Sequence, residues 1–540
     1  MTRTTLCSAR HLPWPESRQV NHRVRRSFAG VLATLLAVVG SGCTETRSEA
    51  KTEAAQAPAA TAEAPRPVLG PPIYELNDAT YLRWPLPKGA ERYADLQGPS
   101  MMPAVNTLVA ISERSRKDGN QWWGRVTGTP YHEEAQTFVA ERLRAAGLET
   151  RTQTFELEPS WYPKSWSVSA TAGARTLALE TAHPVLRSVG TSKDGIEADA
   201  VYVGLGSKAE FLNRDVKGKA VFIYSIPQPS ALRHSAAIDG AMGRAHDAGA
   251  AAVFIVLGIP GNVTTQLWGT GGESQKPTPV PTFSLGLDDG LAVRELIEAG
   301  SQVRIKVQMD TETRQGVKPT AVFGVLPGST DENVLVLAHT DALFQGAVDN
   351  ASGVAVMLGL AEHFSKVPRA ARKRTMTFVA PVGHHVTNDI SLVWMREQMK
   401  AFWPKTALII NCEHVTTTSM YRFDRALVRA NSATGHRFWV GGGTARVPEI
   451  FFKAFMEFGV ALYEAPQIRP LGDLSPLREL APGIEVIESN EFYHSDMDVN
   501  TVPAAGLEGI ARAYARIIDE VNRLPLSELR AAPTAATASR

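Results

Sequence analysis

Apolar runs and amphipathic segments alternate along this chain from residue 307 onward. The run VLVLA at 334–338 has the length and β-branched content of a strand that is buried on both faces. After a polar loop, apolar residues recur between 354 and 364 at the spacing of one helix face. The later runs TMTFVAPV, ALIINC and GIEVIES are each followed by another helical pattern. This alternation predicts an α/β fold with a mostly parallel sheet that helices cover on both faces.

The pattern divides the chain into segments of different character. Residues 73–160 and 307–525 carry the alternation of strands and helices, and we expect them to form two parts of one domain. Residues 161–306 show mainly short strands and turns, which predicts a β-rich insert between those parts. Residues 526–540 are predicted to be a disordered tail.

The first 72 residues read as a targeting and linker region. Three arginines precede an apolar run at 28–40, which ends in small residues and is shorter than the roughly 20 residues needed to cross a bilayer. We therefore interpret residues 1–42 as an export signal. Residues 43–72 are rich in Ala, Glu, Thr and Pro and are predicted to be a disordered tether.

Cys43 directly follows the sequence Gly-Ser-Gly, which resembles a bacterial lipoprotein cleavage site. The resemblance implies that Cys43 is acylated and anchors the protein to a membrane of the cell envelope, at the outer membrane or in the periplasm. Simple secretion is the alternative. The other two cysteines are Cys7, which would be lost with the signal, and Cys412 in an apolar strand, so a disulfide framework is excluded.

Composition narrows the class of protein further. A chain of 540 residues is long enough for two to four domains, and 44% hydrophobic with 21% charged residues is the balance of a globular protein. The formal net charge is only +1, and no basic stripe is interleaved with aromatic residues. Nucleic acid is therefore not expected as a partner.

Residues that can bind a metal follow several of the predicted strands. His339, Asp341 and Asp349 lie in the loop after 334–338. His384 and His385 follow the next strand, Glu413 follows ALIINC, and Tyr493 with His494 follows GIEVIES. In an open α/β sheet, ligands bind at the carboxyl ends of the strands, so these side chains are expected to meet in a metal or substrate site.

Several of these motifs resemble peptidase family M28, a family of zinc aminopeptidases and carboxypeptidases. The similar stretches are HTD and GAVDNASG around Asp349, FYHSDMD around His494, and GRVTGTPY at 124–131. The insert at 161–306 resembles the protease-associated domain that many members carry. The resemblance implies a zinc exopeptidase-like fold whose catalytic domain comprises 73–160 and 307–525.

The resemblance also implies how the residues act. One zinc ion would be bound by Asp349, His385 and His494, and the other by His339, the shared Asp349 and Glu413. Asp341 would hold the ring of His339 from behind.

The chain departs from the family at one place, because His384 and His385 stand where the family has two glutamates. The loss of carboxylates predicts one firm zinc site and a second, conditional site. His384 would replace the glutamate that accepts a proton from the attacking water. Tyr493 would donate a hydrogen bond to the developing oxyanion.

The function that this resemblance implies is an exported zinc metallopeptidase that hydrolyses peptide or related amide bonds, as an exopeptidase of the aminopeptidase type. Two alternatives stay open. The two histidines could have abolished hydrolysis and left a peptide-binding module, or the fold could hold one zinc ion and process amides as glutaminyl cyclases do.

Overall fold

The computed structural model describes residues 83–228, 230–259, 261–268, 277–387, 389–417, 420–423, 426–429, 436–463, 466–487, 492–498 and 502–531. The predicted export signal, Cys43, the tether up to 72 and the end of the tail from 532 lie outside the described residues. All described residues belong to one compact unit. None of the helices in these ranges is both long enough and apolar enough to cross a membrane.

Helices and strands of the described residues are numbered in chain order. The helices are α1 (Gly98–Lys117), α2 (Pro130–Ala145), α3 (Lys208–Leu212), α4 (Ser235–Ile238), α5 (Ala241–Asp247), α6 (Leu287–Glu298), α7 (Gly353–Ser365), α8 (Ile390–Gln398), α9 (Arg446–Glu457), α10 (Ala504–Arg523) and α11 (Leu526–Leu529). The strands are β1 (Gly124–Arg125), β2 (Glu149–Thr154), β3 (Ser160–Ala172), β4 (Arg175–Ala178), β5 (His183–Pro184), β6 (Ile196–Tyr202), β7 (Ala220–Ser225), β8 (Pro227–Gln228), β9 (Ser230–His234), β10 (Ala252–Leu257), β11 (Thr282–Leu285), β12 (Val303–Arg314), β13 (Thr320–Leu326), β14 (Asn333–Leu337), β15 (Ala342–Leu343), β16 (Thr375–Ala380), β17 (Thr406–Cys412), β18 (Met420–Phe423), β19 (Ala426–Arg429), β20 (Arg437–Gly441) and β21 (Gly483–Ile487).

The first sheet has the order β2-β13-β16-β14-β17-β21-β20. Its four central strands, β16, β14, β17 and β21, pair in parallel, whereas β13 and β2 at one edge and β20 at the other are antiparallel. The predicted α/β fold is confirmed, with the parallel pairing confined to the centre of the sheet.

Alternating side chains of β14 enter two separate cores, as the period of two residues in a strand requires. Val334 and Val336 pack into a core with apolar residues of α1, α2, α7, α9 and α10. Leu335 and Leu337 point to the opposite face and pack with residues of α8. Both faces of the sheet are thus covered, which explains why the sequence of β14 is apolar throughout.

Most strands of the predicted insert form the second sheet, which has the order β4-β3-β12-β6-β7-β10-β11-β5. The strands β6, β7, β10 and β11 pair in parallel and the others are antiparallel. The strand β12 runs past the predicted boundary at 306 to Arg314, because it stays paired with β3 as far as Ser160. The identification of this segment as a protease-associated domain stays a prediction.

The prediction that residues 526–540 are disordered is wrong for the first residues of that segment. Leu526–Leu529 forms α11, and Leu529 is buried in the core of the first sheet. The guanidinium of Arg530 donates hydrogen bonds to the backbone carbonyls of Trp403, Thr406 and Leu480. The apolar spacing of Leu526 and Leu529 is enough for one helical turn to pack against the core.

Candidate metal centre

The candidate site lies at the carboxyl end of the parallel strands. His339 follows β14, His384 and His385 follow β16, and Glu413 follows β17, so the topology of the sheet gathers their side chains at one edge. Asp349 reaches the same place through an irregular turn, Ala347–Ser352, between β15 and α7.

A glycine makes the turn before Asp349 possible. Gly346 has φ of 57°, in the left-handed region, and a Cβ atom at this position would overlap the side chain of Ala342 and the backbone oxygen of Asp349. Glycine is the residue that adopts this conformation without steric cost.

Asp349 stands at the centre of four imidazole rings. Its Oδ1 lies 3.3 Å from His339 Nε2 and 3.0 Å from His414 Nε2. Its Oδ2 lies 3.1 Å from His385 Nε2 and 2.7 Å from His494 Nε2. All five side chains are buried. Each carboxylate oxygen therefore faces two ring nitrogens, which is the arrangement expected of a carboxylate that bridges two metal ions.

The group on the Oδ2 side fits a tetrahedral zinc ion. His385 Nε2 and His494 Nε2 are 3.1 Å apart, and both are within 3.1 Å of Asp349 Oδ2. Ligand atoms bound to zinc at 2.0–2.1 Å in a tetrahedron lie roughly 3.3 Å from one another. Two imidazoles and one carboxylate leave the fourth position of such an ion for water or substrate.

The group on the Oδ1 side contains a residue that sequence reasoning missed. His339, Glu413 and His414 place ligand atoms close enough to share one ion. His339 Nε2, His414 Nε2 and Asp349 Oδ1 are buried and have no hydrogen-bond partner among the described residues. Buried polar atoms normally have partners, so these three atoms fit a metal ion that satisfies them. Sequence reasoning placed Glu413 in this group and overlooked the adjacent His414.

Two of the histidines have unusual backbone conformations. His414 has φ of 46° and His494 has φ of 57°, both in the left-handed region that costs free energy for residues with a Cβ atom. The conformation of His414 directs its ring to the same side as Glu413, although neighbouring residues in a strand point to opposite sides.

Asp341 supports two rings of the centre at once. Its Oδ1 lies 3.2 Å from His339 Nδ1, and its Oδ2 lies 3.5 Å from His385 Nδ1 and accepts a hydrogen bond from the backbone N–H of His385. The hydroxyl of Thr127 donates a further hydrogen bond of 2.7 Å to Oδ2. This position behind the rings is the one predicted for Asp341, which also reaches His385.

The loop that carries Asp349 is fixed from two sides. The carboxylate of Asp498 accepts hydrogen bonds from the backbone N–H groups of Val348 and Asp349. The buried guanidinium of Arg125 donates hydrogen bonds to the carbonyls of Thr340, Gln345 and Gly346. Arg125 belongs to the GRVTGTPY motif, which therefore fixes the loop that carries Asp349.

His384 is held by carboxylates rather than by the four-histidine group. Its Nδ1 lies 3.1 Å from Asp389 Oδ1 and 3.1 Å from Asp473 Oδ1, and its Nε2 lies 3.7 Å from Glu413 Oε1. Its ring stacks on that of His339 with centroids 4.0 Å apart. Sequence reasoning identified neither Asp389, which directly precedes α8, nor Asp473, which lies in a short 3-10 turn, because neither belongs to a recognisable motif.

The charges of the centre shift several pKa values. Burial would raise the pKa of Asp349, but the surrounding histidines outweigh it and hold that pKa well below its usual range. Burial would lower the pKa of His385, but Asp349 and Asp341 raise it to about 9. Burial lowers the pKa of His494 to about 3 despite the nearby Asp349. A metal ion binding between these atoms has to displace the proton on His385.

A cavity of about 530 Å³ opens onto this centre. Its lining includes His384, His385, Glu413, His414 and Tyr493. The ring of Tyr493 stacks on that of His494 with centroids 3.8 Å apart, and burial raises the pKa of its hydroxyl well above the usual range. All eight residues predicted for the site thus lie at the centre or in this lining.

Comparisons with known proteins find similarity to peptidases. Residues 321–383 match the peptidase family M28. The curated relatives include a probable glutamate carboxypeptidase, VP8, from Zea mays, which is 25% identical over 375 residues, or 58% of this chain and 51% of the relative. Aminopeptidase YwaD from Bacillus subtilis is 25% identical over 279 residues, or 51% of this chain and 55% of the relative. The chain spans about half the length of these curated relatives.

Solved structures show the same fold. A zinc aminopeptidase from Bacillus subtilis, BSAP, superimposes with a TM-score of 0.57 at 18% identity over 83% of this chain and 99% of that one. A peptidase M28 precursor from Shewanella amazonensis gives a TM-score of 0.59 at 18% identity over 83% and 98%. The predicted resemblance to peptidase family M28 and to the zinc exopeptidase fold is therefore confirmed, and these matches support a hydrolase.

Proposed function

We propose that this chain, which carries the M28 segment and fold, is a zinc-dependent exopeptidase of the aminopeptidase type. The observation that supports this most directly is the contact of each Asp349 oxygen with two imidazole Nε2 atoms. Asp349, His385 and His494 would form the firm zinc site. His339, His414 and the shared Asp349, supported by Glu413, would form the second and weaker site.

Zinc is the metal that suits this donor set, because imidazole and carboxylate ligands in a tetrahedron are typical of it. When bound, zinc supplies a Lewis acid that polarises the substrate carbonyl and makes a water molecule acidic. The residues of the chain have to orient the substrate, accept the proton and stabilise the developing negative charge.

His384 is the proton acceptor in this proposal. The carboxylates of Asp389 and Asp473 face Nδ1, which fixes the N–H at that atom and leaves Nε2 directed to the side of Glu413. Burial would lower the pKa of His384, but these carboxylates raise it well above its usual value. They make the ring more basic, and positive charge at the neighbouring sites acts in the opposite direction.

Tyr493 is the proposed donor to the oxyanion. It lines the cavity beside the metal centre, and its raised pKa keeps the hydroxyl protonated at neutral pH. A preorganised donor of this kind stabilises charge that develops only in the transition state.

The test is a metal analysis coupled to a substrate screen. The purified protein is stripped with a chelator, reloaded with zinc and assayed on aminoacyl and peptidyl amides. Hydrolysis that disappears on stripping and returns with zinc is the expected result. If the zinc-loaded protein hydrolyses none of these amides but binds them, the peptide-binding module replaces this proposal.

We also propose that the protein is exported and anchored through an acylated Cys43. The basis is the sequence of residues 1–43 alone. Cys43→Ser is expected to move the protein from the membrane fraction to the soluble fraction. A variant that stays with the membranes would contradict the anchor at Cys43.

A further inference from the structure

An arginine from a loop that joins two strands of the second sheet reaches the cavity of the metal centre. Arg187 lies between β5 and β6, and its side chain lines the cavity of about 530 Å³ together with His384, His385 and Glu413. It also lines a neighbouring cavity of about 720 Å³. Arg187 thus lies where the two cavities meet. Its guanidinium places a positive charge of the insert beside the metal centre.

The guanidinium of Arg187 has little to bind within the protein. Its one hydrogen bond among the described residues is a long one, 3.5 Å from Nη2 to the carbonyl of Val386, the residue after His385. The described residues give it no ion pair. Burial lowers its pKa, and no carboxylate offsets that effect. An arginine has five N–H donors, so most of its capacity to bind an anion is unused.

The backbone of Arg187 has a strained conformation. Arg187 has φ of 64°, in the left-handed region. Its carbonyl accepts a hydrogen bond from the N–H of Thr278, and the N–H of Leu186 donates one to the carbonyl of Leu267. Strained backbone of this kind persists where surrounding contacts enforce it and is concentrated at functional sites.

The lining of the cavity contains further positive side chains. Three more arginines line it, namely Arg437, Arg469 and Arg478, of which Arg478 also pairs with Glu479 at 3.6 Å. The carboxylates in the lining, Asp389 and Glu413, are already bound to His384 and to Asn411. A negative group of a substrate would meet complementary charge at these arginines.

We propose that Arg187 binds a carboxylate of the substrate, so that the protein acts on acidic peptides or related amides. The inference rests on the proposed hydrolase and adds a substrate class to it. The carboxylate can come from an acidic side chain or from the free end of a short peptide. Both present the same planar pair of oxygens, which a guanidinium binds through two parallel hydrogen bonds.

A binding experiment with four peptides distinguishes a side-chain carboxylate from a terminal carboxylate. Glutamyl-glycinamide offers only a side-chain carboxylate and glycyl-glycine only a terminal one, whereas glutaminyl-glycinamide and glycyl-glycinamide are the neutral counterparts. Their dissociation constants are measured by calorimetry on the zinc-loaded full chain, in a His384→Ala background that limits hydrolysis. Initial rates of hydrolysis are measured in parallel on the protein with His384 intact.

Arg187→Met and Arg187→Lys are compared with Arg304→Met, a control in the second sheet whose guanidinium pairs with Glu197 and Asp199 at the surface. We expect one acidic peptide to bind at least about tenfold more tightly than its neutral counterpart. Arg187→Met should remove that preference, Arg187→Lys should retain part of it, and Arg304→Met should leave it unchanged. Zinc content and melting temperature verify that each variant is folded.

The outcomes distinguish this inference from the proposed function. Equal binding of acidic and neutral peptides, or a preference that survives in Arg187→Met, would overturn the role of Arg187. Hydrolysis of acidic and neutral peptides at equal rates would support the proposed hydrolase and refute the proposed substrate class. Binding that depends on Arg187 without any hydrolysis would support the carboxylate site and refute the hydrolase.

Discussion

His414 Nε2 lies 3.0 Å from Asp349 Oδ1, closer than His339 Nε2 on the same oxygen. By contrast, Glu413 Oε1 lies 4.0 Å from His414 Nε2, and Glu413 Oε2 accepts hydrogen bonds from Asn411 and from the backbone of Asp473. His414 is therefore better placed than Glu413 to bind a second metal ion with Asp349.

The first prediction compares these two neighbours. His414→Ala should weaken zinc binding at the second site by about 100-fold, whereas Glu413→Gln should weaken it by about tenfold, because a ligand matters more than a group that supports one. Zinc titrations of each variant, monitored by calorimetry, give the two affinities. A larger loss of zinc affinity in Glu413→Gln than in His414→Ala would show that Glu413, rather than His414, is the ligand.

The second prediction concerns the first site. His494→Ala removes one of three protein ligands from the group with Asp349 and His385, so it should lose most of its bound zinc together with any activity. His246→Ala is the matched control, because that residue lies in α5, with its Nε2 3.2 Å from Thr282 Oγ1 of β11 in the second sheet. Full retention of zinc by His494→Ala would refute this site.

The third prediction tests His384. His384→Ala should lower turnover by about 100-fold or more and leave zinc bound, since a positioned proton acceptor contributes on that scale. His384→Glu restores a carboxylate and should keep or raise activity. The fall of the rate on the acid side should then move to lower pH than in the unmodified protein, because a carboxyl group stays ionised to lower pH than an imidazole.

If the unmodified protein is inactive with zinc bound and the double change of His384 and His385 to Glu creates hydrolysis, the histidines have abolished catalysis. Activity of the unmodified protein that is insensitive to His384→Ala would instead assign the proton transfer to another group.

Much of the site follows from the sequence because its residues come directly after apolar strands. The run 334–338 corresponds to β14 (Asn333–Leu337), and parallel pairing with β16 and β17 brings His339, His385 and Glu413 to one edge. Asp349 and His494 were recognised from motifs whose spacing resembles the family. These predictions needed only local patterns and the rule that parallel strands end together.

The residues that were missed depend on geometry that no local pattern contains. His414 is one position after Glu413, and strand alternation would direct it away from the site, but its left-handed backbone reverses that direction. Asp473 and Arg187 come from loops far along the chain, and only the folded arrangement places them beside His384 and the cavity.

The last prediction concerns stability and His183, a buried residue outside the ligand groups of the candidate metal centre. Its ring packs against Trp166 and Phe344, with centroids 5.1 Å and 5.2 Å apart, and its Nε2 has no hydrogen-bond partner among the described residues. Burial lowers the pKa of His183 to about 3, far below the 6.5 of an exposed histidine.

Between pH 6.5 and pH 3 the unfolded chain therefore binds a proton at His183 that the folded protein excludes, so the free energy of unfolding falls as the pH falls. From pH 7.5 to pH 5.0 this residue should account for about 2 kcal/mol of lost stability. His183→Phe and His183→Gln cannot take up the proton, so each should lose about 2 kcal/mol less than the unmodified protein over that interval. Urea unfolding at both pH values measures the difference, in which the titration of all other groups cancels. Equal losses in all three proteins would show that His183 is protonated in the folded state.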